Sequence, residues 1–238
     1  MEFTLSPLGD AAIIIELGKM IEQNTHENVQ HVFSYFDKHS PDWLIECIPA
    51  FTTVTLIYDP LKVKANRSHQ QSYPYQIVSE YITETMKTLD KSQSEVGRTV
   101  LIPVCYGGEL GPDLEFVAEH NKLSPEEVIS THSGSEYLVY MIGFAPGFPY
   151  IGGMPDKIAA PRRSSPRLKI PAGSVGIAGS QTGIYPIETP GGWQLIGQTP
   201  LKLFQADRKS PSLLKAGDVI RFKPISYDQF LEEKENMI

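Results

Sequence analysis

Three arginines in one glycine-rich stretch are the residues of this sequence best suited to binding an anion. The stretch runs from Tyr137 to Pro200, and its arginines are Arg162, Arg163 and Arg167. A guanidinium presents a planar fork of N–H donors that matches a carboxylate or a phosphate. Six basic and two acidic residues lie between 137 and 206, a net charge of +4 in a chain that totals −7. This pattern favours a small anion or an acidic protein surface as ligand over nucleic acid. A solvated loop is an equally good interpretation of any single arginine.

Other side chains of the same stretch could complete such a site. An amide and a phenol could hydrogen-bond a substrate, and three aromatic rings could wall a pocket, namely Gln181, Tyr185, Phe144, Phe148 and Trp193. For the three aromatic rings, filling a core is the more common role. His132, just before Gly134 at a predicted helix end, is either an acid/base catalyst or a C-terminal cap that suits the helix dipole.

Several common catalytic motifs are missing. The sequence has no GxxxxGK[ST] phosphate loop, no GxSxG nucleophile elbow and no HExxH or CxxC metal motif. Cys105 lies in an apolar strand, where a buried core thiol is the favoured interpretation over a nucleophile. The chain is therefore predicted to bind and polarise a substrate without a metal, while partner proteins supply the rest of the catalyst.

Composition places the chain among soluble globular proteins. It has 238 residues, of which 41% are hydrophobic and 21% charged. The N-terminus lacks the basic region of a signal peptide. The charge-free run Tyr137–Pro155 is too rich in Pro and Gly for a membrane helix. These features predict a cytoplasmic protein with no membrane contact.

The first part of the chain is predicted to form a small α/β domain over residues 1–92. Hydrophobic periodicity gives the order ββαββα, with strands at Phe3–Leu5, Ala11–Leu17, Leu44–Pro49 and Thr52–Tyr58 and helices at Ile21–Lys38 and Pro74–Leu89. This order indicates an antiparallel sheet with two helices on one side.

A polar segment between Thr88 and Arg98 is the predicted boundary. Beyond it, helices are predicted at Pro112–Asn121 and from a capping box at Ser124 to about His132. Eight short strands follow the pattern of a barrel or sandwich over residues 98–228: Thr99–Tyr106, Tyr137–Ile142, Leu168–Ile170, Val175–Ala178, Ile184–Ile187, Trp193–Ile196, Leu201–Phe204 and Val219–Phe222. Residues 229–238 are predicted to be a polar or helical tail.

Four sequence blocks resemble the allophanate hydrolase subunit 1 family: Gly143–Gly153, Pro161–Arg167, Ile170–Pro186 and Thr189–Gly197. Proteins of this family include the B subunit of the bacterial ATP-dependent 5-oxoprolinase and a sporulation-kinase inhibitor of bacilli. The resemblance implies an α+β N-terminal domain followed by a mainly-β domain with a cyclophilin-like barrel.

The resemblance also implies a function as a non-autonomous part of an enzyme complex. The complex would open 5-oxoproline (pyroglutamate) to glutamate with ATP, and this chain would act beside a homologous second protein, the C subunit, and an unrelated third one, the A subunit. Urea-derived amides stay open as alternative substrates. Within this function we predict catalytic roles for His132, Arg162 and Gln181, and substrate-binding roles for Arg163, Arg167, Tyr185, Phe144, Phe148 and Trp193.

Two other functions are compatible with the family resemblance. The chain could bind a sporulation sensor histidine kinase and inhibit its autophosphorylation, and both roles could coexist in one protein. A prolyl isomerase is disfavoured, because a shared barrel fold does not imply a shared function.

Overall fold

The structure, a computed structural model, describes residues 1–20, 23–65, 72–89 and 97–236. The chain divides into two compact units, Met1–Val96 and Gly97–Ile238. Much of the polar segment predicted as the domain boundary, residues 90–96, lies outside the described residues. The exact domain limits therefore stay a prediction.

The N-terminal unit is an antiparallel sheet of four strands with helices packed on it. The strands are β1 (Thr4–Pro7), β2 (Ala12–Glu16), β3 (Leu44–Pro49) and β4 (Thr53–Tyr58), in the order β1-β2-β4-β3. The helices are α1 (Gln23–Lys38), α2 (Pro60–Ala65) and α3 (Pro74–Thr88). Alternate residues of β4, Val54, Leu56 and Tyr58, are buried in the core, as expected for a sheet covered on one face.

The short helix α2 was not predicted. Asp59 and Pro60 were interpreted only as the end of a strand, but they also begin this helix. The Asp59 Oδ1 atom accepts the N–H groups of Leu61 and Lys62 at 2.9 and 3.3 Å, and proline is favoured at the first helical position. An Asp-Pro pair thus ends one element and starts the next.

The second unit is built on a curled sheet of seven strands, in the order β10-β9-β12-β5-β13-β6-β7. Its strands are β5 (Thr99–Tyr106), β6 (Glu136–Ile142), β7 (Pro149–Gly152), β9 (Ser174–Ala178), β10 (Gln181–Ile184), β12 (Gln194–Gln198) and β13 (Val219–Pro224). Strands β8 (Arg167–Ile170) and β11 (Thr189–Gly191) form a separate two-stranded ribbon. The end strands β10 and β7 contact each other, so the sheet is a nearly closed barrel, as the cyclophilin-like prediction requires.

Within the described residues 97–236, three α-helices accompany the barrel: α4 (Leu114–Asn121), α5 (Pro125–Ser133) and α6 (Tyr227–Glu235). The predicted capping box of α5 is confirmed. The Ser124 N–H donates to Glu127 Oε2 at 2.8 Å, and the Glu127 N–H donates to Ser124 Oγ at 3.2 Å. These bonds satisfy two N–H groups that the helix itself leaves without partners.

Some strand predictions were wrong. Segment Leu201–Phe204 forms only an isolated bridge between Phe204 and Ser212. Its Leu203 side chain is buried in the core, but the segment does not pair with a neighbouring strand. Strands β7 and β11 were not predicted. The strand placed at Ile184–Ile187 is instead β10, which begins at Gln181.

A tight hairpin explains the position of β10. Ala178 pairs with Gln181, so only Gly179 and Ser180 connect β9 to β10. The backbone of Gly179 has φ of +61°, a left-handed conformation that two-residue hairpin turns require and glycine adopts without strain. The turn therefore sets Gln181 at the very start of its strand.

The C-terminal segment, predicted as a polar or helical tail over residues 229–238, is helical over much of its described part. It contains helix α6, which begins at a second capping box between Ser226 and Gln229. Phe230 on this helix is only 2% exposed, and the helix contacts β5. The segment is polar overall, but one buried ring attaches it to the barrel.

We expect Phe230→Ala to lower the free energy of unfolding by about 3–5 kcal/mol, because it removes a fully buried ring and leaves a cavity. The neighbouring Leu231 is 42% exposed, so Leu231→Ala is the matched control and should change stability by about 0.5 kcal/mol or less. Urea unfolding of both variants measures the difference. Equal losses would show that α6 is not anchored through Phe230.

Candidate binding pocket in the barrel unit

A cavity of about 310 Å³ opens in the second unit, at the lower end of the range for small-molecule sites. Its walls come from β7, from the start of β10, and from the segments around residues 162 and 190–193. Six of the nine residues predicted for the site line this pocket: Arg162, Gln181, Tyr185, Phe144, Phe148 and Trp193. The other three, His132, Arg163 and Arg167, do not.

Three aromatic rings form the apolar wall of the pocket. The ring centroids of Phe148, Tyr185 and Trp193 lie 6.1 to 6.4 Å apart, and each pair meets nearly edge to face. This is a favourable geometry for aromatic pairs. A Cβ atom at Gly183 would lie 2.9 Å from the Trp193 ring, so the absence of a side chain on β10 lets the indole pack there.

Phe144 lies at the rim and not within the wall. Its side chain is 76% exposed, and its ring centroid is 5.5 Å from that of Phe148. The backbone of Phe144 has φ of +66°, and the Ala145 N–H donates to the Gly143 carbonyl at 2.8 Å across it. Such a three-residue turn is strained for a bulky residue, and strain of this kind concentrates at functional sites.

Arg162 is the one arginine of the predicted cluster that lines the pocket. It is exposed and forms no ion pair within the part of the chain that the structure describes. Backbone contacts fix it on both sides. The Arg163 N–H donates to the Gly192 carbonyl at 2.8 Å, and Gln194 Nε2 donates to the Pro161 carbonyl at 2.9 Å. These bonds hold the backbone of Arg162 beside the cavity.

Tyr185 contributes a protonated phenol to the pocket. Burial raises the pKa of Tyr185, and a hydrogen bond with the Trp193 backbone and the nearby cations Arg162 and Arg167 oppose this shift only in part. A phenol with a raised pKa keeps its proton near neutral pH. Tyr185 can thus donate a hydrogen bond to a ligand.

The structure places Arg163 and Arg167 on a carboxylate of the chain itself. Arg163 Nη1 donates to Asp113 Oδ1 at 2.9 Å, and Arg167 donates through Nη1 and Nη2 to both carboxylate oxygens at 2.8 Å. Their guanidinium forks are thereby directed to Asp113 and not to the pocket. Sequence reasoning missed Asp113, because it lies some fifty residues away and its position before α4 carries no motif.

His132 was predicted to be catalytic, but its surroundings make it a core residue. It is fully buried; Nδ1 lies 2.8 Å from the Tyr106 hydroxyl and Nε2 lies 2.9 Å from Thr182 Oγ1. The Thr182 hydroxyl donates to the Gly176 carbonyl at 3.0 Å, so it accepts from the Nε2–H group. Nδ1 then accepts from Tyr106, whose phenol stays protonated because burial raises its pKa.

Burial also lowers the pKa of His132 to about 3, so the imidazole is neutral at ordinary pH. The buried position of His132 could not be predicted from the sequence, for a simple reason. A histidine in the last turn of a helix can face either solvent or core, and the sequence does not show which face is buried. His132 Nε2 is bonded to Thr182, which lines the pocket.

The pocket can bind a ligand better than it can activate one. Among the described residues that line it there is no carboxylate, imidazole, thiol or amine. Cys105 is buried elsewhere, and burial raises the pKa of its thiol. Within the described ranges, no group of three or more His, Cys, Asp or Glu side chains could hold a metal ion.

The neutral state of His132 predicts a pH dependence of stability. The folded-state pKa of about 3 lies below the ordinary value of 6.5, so the unfolded chain takes up a proton first as pH falls. Stability from this group is present above pH 6.5 and is lost toward pH 3, at up to about 1.4 kcal/mol per pH unit. We expect the variant His132→Gln to lack this component. Urea unfolding from pH 7 to pH 4 compares the two, and identical pH profiles would contradict a buried neutral imidazole.

Comparison with known proteins identifies relatives of nearly the same length. The chain is 49% identical to the 5-oxoprolinase B subunit of Bacillus subtilis over 99% of this chain and 98% of that protein. It is 39% identical to the 5-oxoprolinase B subunit of Escherichia coli O157:H7 over 91% of this chain and 94% of that protein. The crystal structure of TTHA0988 matches 90% of this chain with a TM-score of 0.75 and 31% identity, although the match spans only 40% of that longer chain.

No helix in the described part of the chain is both long and apolar enough to cross a membrane. The family model of the carboxyltransferase domain, subdomain C and D, matches residues 3–214. This match covers nearly all of the first unit, most of the second unit and the whole pocket. The chain therefore belongs to the carboxyltransferase subdomain C and D family, the family of the 5-oxoprolinase B subunits.

Proposed function

We propose that this chain is the B subunit of an ATP-dependent 5-oxoprolinase complex, and that its barrel pocket binds 5-oxoproline. The observation that carries the proposal is the combination of one cation with an aromatic wall in a single cavity, on a chain that matches named B subunits over almost its whole length. The complex would act in the cytoplasm.

The ligand fits the chemistry of the pocket. 5-Oxoproline is a small lactam ring that carries one carboxylate. The carboxylate would pair with Arg162, whose guanidinium can donate two parallel hydrogen bonds. The ring would lie against Phe148 and Trp193. The lactam N–H and C=O would bind Gln181, which can donate and accept, and the donating phenol of Tyr185.

Ring opening needs groups that this pocket does not contain. Water must add to the lactam carbonyl, the C–N bond must break, and the nitrogen must receive a proton. The described residues of the pocket include no base that titrates near neutral pH. We therefore assign binding and orientation of the substrate to this chain.

ATP does not fit the pocket. A triphosphate needs several cations or a glycine-rich phosphate loop, whereas Arg162 is the only cationic residue among the described lining residues. Nucleotide binding and water activation would belong to the two partner proteins, the A and C subunits. Inhibition of a sporulation histidine kinase and turnover of urea-derived amides stay predictions for the same chain.

Substitution of Arg162 tests the binding mode. In the assembled complex, Arg162→Ala should raise KM for 5-oxoproline by tenfold or more, because a charge-assisted hydrogen bond contributes about 1.5–3 kcal/mol. Arg162→Lys should recover only part of the loss, since an ammonium lacks the fork. Steady-state assays of glutamate release measure both effects.

The matched control is Lys169→Ala, which removes the same charge from an exposed pair with Glu188 outside the pocket. It should change KM less than about twofold. Arg162→Ala should also leave the free energy of unfolding within about 0.5 kcal/mol of the parent value. Equal KM values for Arg162→Ala and Lys169→Ala would sink the proposed carboxylate site.

A second prediction concerns the isolated chain. Calorimetry should detect binding of 5-oxoproline to the purified chain, while the same sample with ATP should release no glutamate until the A and C subunits are added. The reason is that the pocket holds and orients the lactam but has no group to activate water. Glutamate release by the chain alone would refute this division of labour.

A further inference from the structure

Asp113 is a buried carboxylate that the binding mode described above does not use. It is 5% exposed and does not line the pocket. Its two oxygens accept four hydrogen bonds. Oδ1 binds Arg163 and Arg167 at 2.9 and 2.8 Å, and Oδ2 binds Arg167 and the Leu195 N–H at 2.8 and 2.7 Å. A burial this complete is tolerated only because cations and N–H donors compensate the charge.

Two of the three residues that donate to Asp113, Arg163 and Leu195, lie close in sequence to residues that line the pocket, and the third, Arg167, begins β8. Arg163 directly follows Arg162, and Leu195 lies two residues after Trp193. The Asp113 N–H also donates to the Leu195 carbonyl at 2.9 Å. Both the N–H and the carbonyl of Leu195 are thus hydrogen-bonded to Asp113. Asp113, which lies just before α4, therefore links the segment that contains Arg162 to β12, the strand that follows Trp193.

The two segments also contact each other directly. The Arg163 N–H binds the Gly192 carbonyl, and the Gln194 side chain binds the Pro161 carbonyl. These bonds flank Arg162 on both sides. These two bonds can form only when the segments lie at the right distance from each other. Asp113 binds both segments, through the Arg163 guanidinium and the Leu195 N–H.

We propose that Asp113 is the positioning residue of the pocket, which holds the Arg162 segment in register with Trp193 without contacting the ligand. The identity of the ligand, 5-oxoproline, rests on the proposed function. The positioning does not depend on the identity of the ligand, because it concerns only the contacts between two segments of this chain.

A purely structural role for Asp113 must be separated from positioning. Asp218 provides a matched control, because it is 4% exposed and accepts hydrogen bonds from Arg98 and from the Lys215 N–H. None of these three residues lines the pocket. Asp113→Asn and Asp218→Asn both exchange a buried, arginine-bound carboxylate for an amide, and both should destabilise the fold.

Hydrogen exchange of the Arg163 amide reports positioning directly. We expect Asp113→Asn to accelerate this exchange tenfold or more, because the bond to Gly192 loses its support. Asp218→Asn should leave the exchange rate of the Arg163 amide within about threefold of the parent value. Rates are normalised to the Val128 amide of α5, which donates to the Ser124 carbonyl. Equal acceleration in both variants, or none in Asp113→Asn, would overturn the proposal. If Asp113→Asn does not fold, Arg163→Lys breaks one contact and keeps the charge, and it should accelerate exchange of the residue 163 amide more than Asp218→Asn does; an equal or smaller acceleration would overturn the proposal.

A double-mutant cycle links positioning to binding. Asp113→Asn should raise the Kd for 5-oxoproline about as much as Arg162→Ala does, and it should add less than twofold in the Arg162→Ala background. Fully additive effects would show that Asp113 does not act through Arg162. If the parent chain binds no 5-oxoproline, the proposed function fails, and the exchange of the Arg163 amide still decides whether Asp113 positions the segment.

Discussion

The pocket depends on one buried carboxylate, Asp113, whose negative charge is balanced by arginines and a backbone N–H of the same chain. Desolvation of an ion costs several kcal/mol unless partners replace the lost water, and Asp113 obtains them from Arg163, Arg167 and a backbone N–H. The cationic stretch of the sequence is therefore not a uniformly basic surface. Two of its arginines face inward to a counterion, and Arg162 remains beside the cavity. A site with one such cation selects for a single anionic group.

Several features make the pocket rigid before any ligand arrives. The edge-to-face contacts of Phe148, Tyr185 and Trp193 limit rotation of each ring. Gly183 removes the side chain that would displace the indole, and the left-handed turn at Phe144 fixes the rim. Preorganisation of this kind reduces the entropy lost on binding.

Local sequence signals predicted most of the elements and six of the residues that line the pocket. Capping at Ser124 and the close spacing of glycine, proline and aromatic residues are properties of adjacent residues, so they are visible without a structure. The partners of Arg163 and His132 are not visible, because Asp113 and Thr182 lie about fifty residues away in sequence. The same limit explains the strand wrongly placed at Leu201–Phe204. Apolar residues indicate burial, but only the neighbouring strands decide whether a segment pairs.

The corrected position of His132 clarifies how the chain would divide its work with partners. A neutral imidazole buried between Tyr106 and Thr182 joins a chain of donors and acceptors inside the barrel, and it does not line the pocket. The pocket itself is lined by a cation, a phenol and an amide, which in the proposed binding mode orient the substrate. In the proposed complex, chemistry at the lactam carbonyl would therefore depend on groups that reach this pocket from a partner protein. Phe144, with its strained backbone and exposed ring, lies at the rim of this pocket.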